Sequence, residues 1–169
     1  TTEIYTLSLH DALPILNAMK FLLSGVFITL GLFPFAAQAQ QQSLNTQVAG
    51  MVEALRLAAP NTGSANDGYY SDWQVKPETL KSWSKSCLEK EVSPAEFEKN
   101  PQLARQVVSC IVERELKGQL EATSNNETEA VRGTACWWMT GKYEGCDSGF
   151  SADYVKKVLD YYQQTKQST

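Results

Sequence analysis

Residues 130–146 read AVRGTACWWMTGKYEGC. Cys136 and Cys146, two of the chain's four cysteines, lie in this stretch, with Trp137 and Trp138 adjacent between them. At about 100° per residue, a helix over 127–140 puts Ala130, Thr134, Trp137 and Trp138 on one side, with Val131 and Ala135 widening it. Cys136 and Met139 point elsewhere. A segment that is apolar nearly all round, as 135–139 is, belongs in the middle of a bundle. Asn126 reads as the N-cap, Glu127 and Glu129 suit the positive first turn, and Gly141 suits the left-handed position that closes a helix. Both tryptophans then read as core, where a large ring buries the most area. The alternative is that one of them lines a ligand or partner surface.

The cysteines extend outward from this stretch. Cys87, Cys110, Cys136 and Cys146 make an even set, which in a small exported chain reads as two disulfides. Three pairings are open. Cys87–Cys110 with Cys136–Cys146 is favoured, because each joins chain neighbours without a long crossing. In the chain-entropy picture these loops stabilise by about 3.5 and about 2.8 kcal/mol. Their sum is a large share of the roughly 5–15 kcal/mol that holds a typical domain. A four-cysteine zinc site is disfavoured, since no C-x-x-C spacing is present.

Export is read from the other end of the chain. Residues 1–18 include TTEIYTLSLHDALPIL, which resembles the translated read-through of a sequencing-library adapter and is taken as a non-native leader. Residues 19–39 read as a signal peptide, with basic Lys20, an apolar run over 21–35, and Ala37-Gln38-Ala39 as an A-x-A cleavage site. The apolar run is shorter than the roughly 20 residues of a spanning helix. Residues 40–169 then form a single helical domain, of ordinary size for one core.

Removing one base (Lys20) and two acids (Glu3, Asp11) takes the formal net charge from −4 to −3. That weak acidic balance argues against a nucleic-acid partner, which needs a basic stripe. The only histidine, His10, falls in the removed part. A chain without imidazole has no Ser-His-Asp or Cys-His catalysis and no His-ligated zinc.

Helical spacing predicts the remaining elements. Leu44, Val48, Met51, Val52, Leu55 and Ala59 mark a first helix over about 43–59, ended by Pro60. A turn-rich loop follows, and its end carries Tyr69, Tyr70 and Trp73, either as a recognition surface or as a flap over the core. Pro77 opens a helix with Leu80, Trp83 and Cys87 on one face. Ser93-Pro94-Ala95-Glu96 is a capping box opening a short helix anchored by Phe97. Asn100-Pro101 starts a longer helix ending near Lys117–Gly118, with Leu103, Val107, Cys110 and Ile111 inward. Arg114 and Glu115 stand at the edge of that face as a rim ion pair. Ser151 reads as the N-cap of the last helix, with Phe150 and Val155 as a hydrophobic staple and Asp153 paired to Lys157.

The expected fold is all-α: a small disulfide-stapled bundle of four main helices plus one short helix. Its plan resembles small exported helical proteins with paired cysteines, including immunity proteins that neutralise secreted toxins in the periplasm. The likeness is one of size, export and cysteine count. No catalytic residue, metal ligand or cofactor is expected. The expected location is periplasmic or secreted, with no stable membrane span once the signal is removed.

The expected function is binding of another protein or an envelope component, with Tyr69, Tyr70, Trp73, Trp137, Trp138 and Tyr143 as the binding aromatics. The alternatives are a carrier of a small apolar ligand, and a hydrolase built on two carboxylates drawn from Glu53, Glu113, Glu115, Glu129 and Asp147.

Overall fold

A computed structural model of the chain describes residues 33–60 and 67–167. The chain divides into two compact units, Thr1–Phe33 and Pro34–Thr169, and apart from Phe33 the described residues belong to the second. The leader over 1–18 and most of the signal segment therefore lie outside the described residues.

Six helices follow one another: α1 (Phe33–Ala58), α2 (Pro77–Leu88), α3 (Pro94–Lys99), α4 (Pro101–Ala122), α5 (Glu127–Thr140) and α6 (Gly149–Gln167). Five are long and α3 is short, one long helix more than the count of four, although each of them, including the one opened by Pro77, was expected from the sequence. α2 is seated by buried Leu80 and a disulfide to α4. Among the described residues there is no strand, only an isolated antiparallel bridge between Tyr70 and Val75.

α5 lies against both α4 and α6. Its buried residues are Ala130, Val131, Gly133, Thr134, Ala135 and Cys136, nearly all small. Small side chains let neighbouring helices approach closely. At Gly133 even a methyl group would run into the Gln119 side chain of α4. Thr134 is buried at no polar cost, because its hydroxyl donates to the Ala130 carbonyl at 2.8 Å. The buried core also holds Met51, Val52 and Leu55 of α1, Leu80 of α2, Phe97 of α3, Val107, Val108, Ile111 and Val112 of α4, and Val155 and Val158 of α6.

The local start and stop signals act where the sequence places them. The Ser93 hydroxyl accepts from Glu96 N–H at 3.2 Å, the Asn100 side-chain oxygen from Leu103 N–H at 3.0 Å, and the Asn126 side-chain oxygen from Glu129 N–H at 3.3 Å. Gly141 closes α5 with φ of 76°, a left-handed geometry that costs other residues energy.

Three boundaries differ from expectation. α1 begins at Phe33 rather than near residue 43, because the Ala- and Gln-rich run that includes the A-x-A triplet contains nothing that breaks a helix. α4 continues through Gly118 to Ala122, since burial of Leu116 and packing of Leu120 outweigh the roughly 1 kcal/mol cost of one internal glycine. α6 starts at Gly149, so Ser151 is not its cap. The Ser151 hydroxyl donates to the Ser148 carbonyl, and Phe150 is 69 % exposed, so no staple forms with buried Val155. Lys156 pairs with Asp160 at 3.3 Å, where Asp153–Lys157 was expected.

Both disulfides are the favoured ones, Cys87–Cys110 and Cys136–Cys146, and no free cysteine is found among the described residues. The first ties α2 to α4, and the second closes the loop that follows α5.

A polar cluster joins the start of α5 to the end of α6. Lys166 donates to Glu127 at 2.8 Å, and the Tyr162 hydroxyl donates to it at 2.5 Å. Burial pushes the Glu127 carboxyl up, but the bonds from Lys166 and Tyr162 outweigh it and hold the group below its ordinary 4.5. A depressed carboxyl adds stability that is present above its unfolded pKa and lost as pH falls through the folded value. Glu127→Gln should therefore lose less melting temperature than the parent between about pH 5 and pH 3, as followed by circular dichroism. An identical acid slope for the two proteins would remove Glu127 as its source.

Candidate functional site: an aromatic row beside an open cleft

The C-terminal turn of α5 leaves the core, and both of its tryptophans stop half-buried. This corrects the expectation that they are core residues. The inward positions above them are filled by small residues, and the room at the helix end is taken by Trp83 of α2.

Trp83 lies between the two. Its ring centroid is 6.2 Å from Trp137 with planes 21° apart, and 5.1 Å from Trp138 with planes 46° apart. Tyr143 continues the row, 6.4 Å from Trp137 at 16°. All three separations fall in the roughly 4.5–7 Å range where aromatic pairs attract. The order Trp138–Trp83–Trp137–Tyr143 thus runs across α2, α5 and the disulfide-closed loop.

Tyr143 is pinned from below. Its hydroxyl donates to Glu115 of α4 at 2.5 Å, and Glu115 is buried with the Arg114 guanidinium 2.8 Å away. The bond to Glu115, with burial behind it, pushes the Tyr143 hydroxyl above its ordinary pKa, so it stays a donor at neutral pH. The rim ion pair expected at Arg114–Glu115 is therefore the anchor of this loop.

At the Trp138 end the row borders an open cleft of about 590 Å³. One side is the start of α2, with Lys76, Thr79 and Trp83. The end of α5 supplies Trp138, Met139 and Thr140, and the start of α6 supplies Phe150 and Tyr154. Ala59 and Pro60 after α1, and the turn carrying Tyr69, Trp73, Gln74 and Val75, complete the lining. The volume lies within the roughly 300–1,000 Å³ of small-molecule sites.

The turn shapes one wall through two non-glycine residues in left-handed backbone, Ser71 at φ 64° and Gln74 at 54°. It is held in place from both sides. Ser71 N–H donates to the Glu98 carboxylate of α3, and Trp73 Nε1–H donates to the Val52 carbonyl at 2.8 Å.

The expected binding aromatics divide into groups. Trp138 and Tyr69 line the cleft, with Tyr69 39 % exposed. Trp73 lines it too, but at 3 % exposed it is a flap over the core, with the Arg105 guanidinium 5.3 Å from its ring. Trp137 and Tyr143, the latter 42 % exposed, extend the row beyond the cleft. Tyr70 is not brought to the cleft, and its backbone pairs with Val75 at 2.9 and 3.0 Å.

Sequence reasoning missed Trp83, Met139, Phe150 and Tyr154. Trp83 shares a helical face with Leu80 and Cys87, so periodicity alone assigns it to the core. Phe150 has the spacing of a staple. Only the packing of helices from distant parts of the chain separates these residues from true core.

Electrostatically the cleft is lopsided. Lys76 is its one cation, and no carboxylate appears among the described lining residues. Lys76 Nζ lies 5.7 Å from the Tyr69 ring and makes no ion pair among the described residues.

The carboxylates considered for hydrolysis are elsewhere. Glu53 is bonded to Arg56 at 2.6 Å and to Arg105 at 3.3 Å, and the Arg56 bond above all holds its carboxyl below the usual range. Glu115 serves Tyr143, Glu129 pairs with Arg132 at 3.5 Å, and Glu113 and Asp147 are exposed. Among the described residues no group of three or more His, Cys, Asp or Glu is placed to hold a metal ion.

Comparison with known protein families, with curated proteins and with solved structures returned no match for the chain. The site must therefore be judged on its own chemistry.

Tyr143→Phe removes one donor from a buried carboxylate, which costs about 1–2 kcal/mol. Thermal denaturation should show that loss, and fluorescence should show a red shift as Trp137 gains water. An unchanged melting temperature would mean that Glu115 does not anchor the loop.

Proposed function

We propose that this protein is an exported, non-catalytic binding module that holds an apolar portion of an envelope component in the aromatic cleft. The observation that carries the reading is the cleft itself: rings from α2, α5 and α6 converge on one open volume and are left partly in water. Leaving a large apolar side chain exposed forgoes about 1.5–3 kcal/mol relative to burying it. Phe150, 69 % exposed, and the half-buried Trp83 and Trp138 all lie on this one feature. Scattered surface aromatics need no explanation, but a convergent set does.

Two disulfides fit a chain that works in an oxidising compartment. Among the described residues no helix is long and apolar enough to cross a membrane. The disulfides agree with the export read from residues 19–39 and with a site in the periplasm or outside the cell. A second reading rests on Trp137 and Tyr143, which continue the row outside the cleft: a partner protein, as for immunity proteins, would cover that outer end.

The neutral dye N-phenyl-1-naphthylamine tests the cleft. Its fluorescence should rise and saturate at one molecule per chain, and an envelope lipid extract should displace it. Trp138→Ser, with an unchanged circular-dichroism spectrum, should lose most of the signal. Dye binding that never saturates, or that ignores Trp138, would remove the cleft as a binding site.

A further inference from the structure

Among the polar groups of the cleft lining, Lys76 and Tyr154 stand beside its aromatic walls. Lys76 has no carboxylate partner among the described residues and only the face of the Tyr69 ring beside it. Tyr154 is 5 % exposed and lines the cleft, and its side chain makes no hydrogen bond among the described residues. No fully enclosed polar side-chain atom among the described residues lacks a partner, so that hydroxyl keeps some contact with solvent. Burial pushes its pKa upward, so it remains a neutral O–H donor throughout the physiological range.

We propose that the ligand is a small amphiphile with one carboxylate: its apolar body lies against Trp83, Trp138, Met139 and Phe150, and its carboxylate meets Lys76 and the Tyr154 hydroxyl. The inference rests on the cleft being the binding site. A carboxylate is an acceptor only, with several lone-pair positions. It matches one ammonium and one hydroxyl donor, which Lys76 and Tyr154 supply.

Lys76 also occupies the N-cap of α2 without a side-chain capping bond, so the positive end of a twelve-residue helix adds to its ammonium. Glu78, the acid of that turn, is exposed and is not among the lining residues. Aromatic walls also suit a quaternary ammonium. Here that ligand would bring a cation beside Lys76 with no carboxylate to neutralise either charge, so the acid is favoured.

Bromine quenches tryptophan, and four such rings, three of them lining the cleft, make fluorescence the natural readout. Three probes share one chain and differ only in the head group: 12-bromododecanoic acid, 12-bromododecan-1-ol and 12-bromododecyltrimethylammonium, each kept below its aggregation concentration. The acid should bind the purified protein most tightly, about fivefold better than the alcohol, and the ammonium should bind worst. Lys76→Met, which keeps an apolar stem, should bring the acid down to the alcohol and leave the alcohol unchanged. Tyr154→Phe should weaken the acid by a similar factor.

Equal affinity for acid and alcohol in the parent, or acid binding indifferent to Lys76→Met, would overturn the carboxylate and leave the cleft as a plain apolar site. Tightest binding of the ammonium would reverse the charge assignment and overturn it as well. No quenching by any of the three would remove the cleft reading together with this one.

Discussion

The small-residue face of α5 is the constraint on which the rest depends. Ala130, Gly133, Thr134 and Ala135 let α4 and α6 close onto one helix. Close approach of three helices leaves no volume for indole rings along that face. Trp137 and Trp138 sit at the end of the helix, where both stay half-buried. The aromatic row and the cleft are thus a consequence of how tightly the middle of the bundle packs.

The disulfides and buried polar bonds act on the same region. Cys87–Cys110 fixes α2, which carries Trp83 and Lys76, against α4. Cys136–Cys146 closes the loop that carries Tyr143, and the Glu115 bond fixes that loop at a second point. A loop tied at both its disulfide and its middle loses little further entropy when something packs on it. On the opposite side, the turn at 71–74 is held by Glu98 and by the Trp73 indole. The cleft walls come from five separate parts of the chain, yet each has at least one covalent or polar attachment to the core. Such preorganisation favours binding, because ordering the site costs little when the ligand arrives.

The exposed aromatics are the counterweight. Total stability of a domain is about 5–15 kcal/mol, and each ring left wet forgoes a noticeable part of it. The two cross-links, together about 6 kcal/mol in the entropic account, are comparable with that loss. A stapled bundle can therefore keep a sticky surface that an unstapled one of this size would have to bury.

Much of the architecture was legible in the chain because it depends on local rules. Caps at Ser93, Asn100, Asn126 and Gly141 are satisfied by bonds three or four residues away, and the inward faces of α1, α4 and α6 follow the 3.6-residue period. The disulfide pairing agreed with the shorter loops, since neighbouring helices bring neighbouring cysteines together. What the sequence could not decide was which large apolar residues are core and which are surface. Trp73 is core while Trp83, Trp137 and Trp138 are half-exposed, and nothing in the spacing separates them. Phe150 and Gly118 defied local signals for the same reason: burial is a property of what arrives from elsewhere in the chain. The four rings, Lys76 and Tyr154 come from distant segments. Their meeting is set by helix packing, and periodicity, which knows only one helix at a time, has no term for it.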